Sequence, residues 1–359
     1  MHPQRLFLFY PNYERRKMTN LKRASYQLFS RPDDERFADF DALSEHCTNR
    51  VVESKVHWKA PAEVITIAIR GDVGLKLTGD RGYSFNDWSF GQACTLAGIN
   101  KDTVNRLQTG TAVQVLIETM PSGSKPIQVL TRNDTVRSIH GASYTRLYDS
   151  DVLDVVRDEA PDFAPPPPGF NGATGLYAGE QDMFAFLVDN ESWVDIGGEQ
   201  FAPGFFVWNS EVGRRTVGIE TFWFQRICGN HIVWDATEVV TYKRKHTANV
   251  VNALGDMREI LRRLVLKRDE RKDAFAKAIS QAMTQSLGSN AEDVSKVLLN
   301  QGIGAGYVKE AVQSMATQNG AFTVFQAVDA LTRISRQMTN AGDRAAYDMR
   351  IGGLLSLAV

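Results

Sequence analysis

The chain has 359 residues, 43% hydrophobic and 23% charged, ordinary for a globular protein with room for two domains or one elaborate one. A formal net charge of −1 excludes a globally basic nucleic-acid coat, although a local basic groove depends on where charge sits rather than on its sum. Three scattered cysteines, Cys47, Cys94 and Cys228, fit a reducing compartment, and no apolar run nears the roughly 20 residues that span a bilayer, so a cytoplasmic protein with no membrane partner is expected.

Residues 1–18 read as a mobile extension or as sequence upstream of a better start at Met18. Leu6 to Tyr10 is apolar but too short for a signal-peptide core. An N-terminal α+β region is expected over 19–160. Its first helix starts at Asp33-Asp34-Glu35 after Pro32, where acidic groups meet the positive end of the helix dipole, and Phe37, Phe40 and Leu43 recur at helical spacing. Val64 to Ile69 is a β-branched run ending at Arg70-Gly71-Asp72, which predicts a buried strand and a turn. Asn86 caps a helix reaching about Gly98, a second helix runs from Ile99 to Leu107, and residues 111–120 fit strand or helix. Ile127 to Leu130 and Val136 to Ile139 flank Arg132-Asn133-Asp134-Thr135, a hairpin pattern, and a short helix follows over 150–158.

The run Ala164-Pro165-Pro166-Pro167-Pro168-Gly169 cannot be helical, so residues 161–175 read as a stiff connection. A second β region fills 176–248, with strands near 183–188, 205–208, 217–228 and 232–242 and a turn at Gly197-Gly198. From 249 to 359 the period is helical. Leu254, Met257, Leu261 and Leu264 share a face, which Phe275, Ile279 and Met283 extend, and later helices cover 291–300, 305–318 and 321–338. The expected fold is α+β: a β-rich central region preceded by helices, with a helical C-terminal third.

Catalytic patterns are weak throughout. His46-Cys47 and Cys228-x-x-His231 each supply at most half of a zinc set, so neither a metal nor a cofactor is expected. Cys228 and His231 point to opposite faces of a strand unless Gly229-Asn230 turns, and Gly302-x-Gly304-x-Gly306 has neither the dinucleotide spacing nor a Walker lysine. The acidic pairs at Asp33-Asp34-Glu35 and Asp149/Asp151 suit helix starts. No catalytic residue is assigned.

The basic clusters carry more. Arg132, Arg137, His140 and Arg146 are interleaved with Tyr144 and Tyr148. Arg214-Arg215 follows a turn at Asn209-Ser210-Glu211-Val212-Gly213, and Lys243-Arg244-Lys245-His246 ends the β region. Cations beside rings on a sheet are what a single-strand groove requires, because the cations neutralise phosphates while the rings stack bases. The expectation is that Arg132, Arg137, Arg146, Arg214, Arg215, Lys243, Arg244, Lys245 and His246 line such a groove, with Tyr144 and Trp208 stacking bases. Asn209, Glu211 and Gly213 would form the turn that presents the arginines. The same residues also read as solvated strand ends. The run Arg262-Arg263 to Lys272, broken by Asp269 and Glu270, is more simply the exposed face of a helix.

Several stretches together resemble the phage/plasmid-like proteins labelled domain-of-unknown-function family 932. These are Ala24 to Phe37, Val136 to Tyr144, Trp208 to Asn230, Lys245-His246 and Phe322 to Thr332, spanning roughly residues 20–335, and the block from Asn209 to Asn230 is the most specific. His231 and Asp329 depart from the usual residues. The resemblance implies phages, plasmids and integrated elements as the setting and supplies no reaction or catalytic residue. The leading expectation is a non-enzymatic, single-stranded nucleic-acid-binding protein of such an element, in recombination or replication. The alternatives are an assembly protein using its helical third, homo-oligomeric or not, and an enzyme built around Cys228, His231 and His246.

Overall fold

A computed structural model describes residues 35–166, 175–225, 230–232, 242–317, 322–335, 337, 347, 348 and 350–358, with 230–232, 242, 243 and 268–271 given by backbone alone. The expected extension at 1–18, the helix start at Asp33-Asp34, the second half of the proline run and Cys228 lie outside these residues. Side chains of His231 and Lys243 do too. The fold is α+β.

Helix α1 (Phe40–Val52) is capped by Asp39, whose carboxylate accepts from the Ala42 amide at 2.8 Å. The helix therefore begins later than expected. Phe37 precedes it, and its amide instead donates to the Leu176 carbonyl at 3.1 Å. Strands β1 (Ser54–Lys59), β2 (Val64–Ile69), β3 (Asp72–Leu77), β4 (Gly82–Phe85), β5 (Ile127–Arg132) and β6 (Thr135–Gly141) form one sheet in the order β1-β5-β6-β4-β3-β2. Only β4 and β6 pair in parallel. β1 and β2 end opposite edges of that order although residues 60–63 alone connect them, so the sheet must curl. One side of it, with Val64, Leu75, Leu77, Val129 and Ile139, packs on Ala93 of α2 (Asp87–Leu96). Asn86 caps α2 as its position predicts, accepting from the Ser89 amide at 2.8 Å. A short helix α3 (Lys101–Val104) follows, and residues 109–119, ambiguous by period, form helix α4.

Helix α5 (Asp149–Glu159) leads to the second sheet. Strands β7 (Phe163–Ala164), β8 (Leu176–Ala178), β9 (Met183–Asp189), β10 (Val194–Ile196), β11 (Glu199–Asn209), β12 (Val217–Gln225), β13 (Asn230–Ile232) and β14 (Tyr242–Arg244) build it. Its main path runs β13-β12-β11-β9-β7. β7 lies within the span expected to be a bare connection: Ala164 pairs with Val188 before the prolines begin. Alternation along β9, β11 and β12 sorts the side chains onto two buried faces. Leu187, Phe205, Val207 and Ile219 pack on Leu43 of α1, Val152 of α5 and Met257 of helix α6 (Asn252–Leu266). The opposite face is aromatic, with Phe184, Phe186, Phe206, Trp208, Phe222 and Phe224. At the far end of β11 and β12, Phe201 and Trp223 meet the C-terminal helices α7 (Arg268–Thr284), α8 (Ala291–Asn300), α9 (Ala305–Thr317) and α10 (Val324–Ser335).

Candidate functional site

The two sheets meet where β11 ends. Residues 209–213 leave that strand as a turn, and the first sheet and the loop after it send side chains into the turn. One backbone irregularity sets the arrangement. Leu130 of β5 faces Ser138 of β6, but Thr131 faces Val136, so Arg137 is the extra residue of a β-bulge. A bulge bends its strand and re-aims the side chain it carries. Arg137 Nη1 thus donates to Glu211 Oε2 at 2.9 Å.

Glu211 is the centre of the joint. Besides Arg137, its carboxylate lies 3.4 Å from Arg50 Nε and accepts the Asp149 amide at 3.2 Å. Arg50 also bonds the Asp149 carboxylate and the Gly179 carbonyl, the latter at 2.7 Å. Asn209 Nδ2 donates to Asp149 Oδ1 at 2.7 Å and to the Leu147 carbonyl at 2.9 Å. The turn's carbonyls are taken as well. Glu211 O accepts from Tyr144 Oη at 2.9 Å and from Arg146, while Val212 O receives Trp88 Nε1 at 2.9 Å and Gln92 Nε2 at 3.0 Å. His140 Nε2 stands 3.1 Å from the same carbonyl. Such charge-assisted bonds are short and directional, which makes the joint specific in orientation.

Burial explains most of the protonation behaviour. Burial, then the charge of Glu211, pushes the Asp149 carboxyl up to about 7. Burial also raises Glu211, but Arg50 and Arg137 outweigh it and hold that carboxyl below its ordinary value. Burial, aided by Arg146, pushes His140 down to about 3. It pushes His246 down to about 4. Burial drives the Cys47 thiol far up, so this cysteine is no nucleophile at neutral pH.

The three basic segments do come together. Thr145 N donates to His246 O at 3.4 Å, and the rings of His140 and His246 stack on Tyr144 at 3.6 and 5.5 Å between centroids. What they meet is acid and carbonyl rather than an open groove. Arg137 is 1% exposed and bonded to both Glu180 and Glu211, so with Glu180 in place it is closed to the phosphate contact expected of it. Tyr144 and Trp208 do not fit base stacking either. Tyr144 already has two imidazoles and the Arg146 guanidinium against its ring, and Trp208 is 7% exposed within the aromatic face. Arg146 is committed to Glu211 O, to Gln128 Oε1 at 2.6 Å and to Ser138 Oγ at 3.2 Å.

The other cations lie nearer solvent. Arg132 Nε bonds Glu53 at 2.7 Å, Arg215 Nε bonds the buried Asp182 at 2.9 Å, and Arg244 pairs with Asp256 at 3.0 Å. The Arg214 guanidinium lies 5.3 Å above the Trp88 ring, and Lys245 is exposed. Gly213 has φ +76, and a Cβ there would lie 2.8 Å from His140, so the turn closes against that ring only with glycine.

Sequence reasoning missed Arg50, Asp182 and Glu180, and read Asp149 as a helix start only. One signal was present: Leu43, Cys47 and Arg50 fall on one face of α1, and a charge in an apolar stripe implies a buried partner. Among the described residues no group of three His, Cys, Asp or Glu is placed to hold a metal, and no helix is long and apolar enough to cross a membrane. No protein-family model, curated protein or solved structure matches the chain.

Proposed function

We propose that the chain is a non-enzymatic protein that binds single-stranded nucleic acid and serves recombination or replication in a phage, plasmid or integrated element. The setting rests on the family resemblance. The binding reading rests on one observation, the convergence of segments 132–146, 209–215 and 244–246 on a single joint. In this reading the buried ions are the frame, and the nearer-surface cations Arg132, Arg214 and Lys245 meet the backbone phosphates.

The test is anisotropy of a labelled oligo-dT against rising salt. Arg214→Gln with Lys245→Gln should weaken binding and flatten its salt dependence. Arg215 is a poorer target, because removing it leaves Asp182 buried without the guanidinium it holds. No binding even at low salt would overturn the proposal.

A further inference from the structure

The solvent end of the joint holds an arrangement that the packing of the two sheets does not require. Arg132 ends β5 and Arg137 is the bulge residue of β6, and both aim at one carboxylate. Glu180 Oε1 lies 3.4 Å from Arg132 Nη1, and Oε2 lies 3.2 Å from Arg137 Nε. A second acid holds each arginine from behind, Glu53 at 2.7 Å and Glu211 at 2.9 Å. For both arginines the bond to Glu180 is the longer one.

Glu180 itself is dispensable to its loop. Its side chain is 48% exposed. The backbone on either side is fixed by other groups: Gly179 O takes Arg50 Nη1 at 2.7 Å, and Gln181 O takes the Ser210 hydroxyl. An exposed carboxylate at such distances adds little stability. Two guanidinium groups braced by anchoring acids, with N–H groups converging on one point, have the form of a receptor for a phosphate.

We propose that Arg132 and Arg137 form a phosphate-binding fork that Glu180 occupies as an internal anion, and that a phosphodiester of single-stranded nucleic acid displaces it. This rests on the nucleic-acid reading above. Displacement begins with rotation of the exposed Glu180 side chain into solvent, while the buried Glu211 holds Arg137 and Glu53 remains paired with Arg132. Glu180 is then one of the groups that close Arg137 off, beside Glu211 and Ser54, and its contact is autoinhibitory.

The experiment compares the full chain with Glu180→Ala, and with Glu180→Gln, which drops the charge and keeps the size. Each is titrated with labelled oligo-dT and, separately, with inorganic phosphate read by thermal shift. Glu180→Ala should bind the oligonucleotide about three- to tenfold more tightly at low salt, and its log–log salt slope should steepen by about 0.7. Glu180→Gln should fall between it and the native chain, and adding Arg132→Ala should cancel the gain. Loss of a negative charge would by itself favour a polyanion at this surface, so it is cancellation of the gain by Arg132→Ala that assigns the gain to the fork. Unchanged or weaker binding by both variants, with the native chain still binding, overturns the fork and leaves the broader reading standing. If nothing binds the oligonucleotide but phosphate stabilises Glu180→Ala above the native chain, the fork stands as an anion site and the nucleic-acid reading falls. No response to either ligand overturns both.

Discussion

Two of the contacts of the second sheet work by opposite means. Toward the first sheet it presents the turn 209–213, and the contact consists of Glu211, Asp149, Arg50, Arg137 and a set of carbonyls. Toward the C-terminal helices it presents Phe201 and Trp223, and the contact is apolar, with the Trp223 ring stacked on Phe275 at 4.2 Å. Apolar burial is roughly proportional to area and tolerant of shape. A buried ion network is neither, because deleting one member leaves the others charged in a dry site. The first joint should therefore be fragile and sensitive to pH, and the second graded.

The largest effect is expected at the centre of the charged joint. Glu211→Ala removes the carboxylate that Arg50 and Arg137 share, leaving them only Asp149 and Glu180, and should cost about 3–5 kcal/mol in urea unfolding. A loss below about 1 kcal/mol would mean that charge does not hold the two sheets together. In the apolar joint, Phe275→Ala should cost about 3 kcal/mol but Phe275→Leu only about 1, the graded response that the ion network lacks. Gly213→Ala should cost about 2 kcal/mol, from a left-handed backbone and the 2.8 Å approach to His140. If it is neutral, the turn is looser than its contacts indicate.

The pH response follows from the signs. His140 and His246 have folded pKa values below the ordinary 6.5, so the stability their neutral rings contribute is present above about 6.5 and is lost as pH falls toward 4 and 3. Asp149 acts in reverse, its contribution being present below about 4 and lost as pH rises through about 7. Glu211, held low, stabilises above about 4.5 and loses that below. From pH 7 to 4 two histidines oppose one aspartate, so the melting temperature should fall on acidification. Asp149→Asn should steepen that fall and His246→Leu should blunt it. A flat profile in the native chain would contradict the burial of these groups. At the small end, Lys296→Ala removes an exposed i,i+4 pair with Glu292 and should change stability by under about 0.5 kcal/mol.

Much of the fold was legible because its signals are local. The Asn86 cap, the turn after Ile69, the hairpin at 127–139 and the helical period beyond 250 each depend on residues within a few positions of one another. Strands β1 and β4 escaped because their alternations are short, Val56 with Trp58 and Tyr83 with Phe85, and in β1 it is His57 rather than the apolar pair that is buried. Ser54–Lys59 is largely exposed at a sheet edge, and Gly82–Phe85 is only four residues long and pairs on one side with the distant β6. In the candidate site, sequence patterning picked out the segments that meet but not what each side chain does there. Arg137 reads as a surface cation until the pairing of β5 with β6 makes it the bulge residue. Tyr144 reads as a base platform until His140 and His246 stack on it.

Taken alone, the sequence determined the α+β class, the places where helix gives way to strand, and the clustering of cations at three positions along the chain, since periodicity, caps and composition are properties of short windows. Only the tertiary structure decided that cations of the first cluster face carboxylates 43 to 79 positions away, Glu53 for Arg132 and Glu180 and Glu211 for Arg137. The physical reason is that an ion's role depends on its solvent and its partner, and both are set by how distant strands pair.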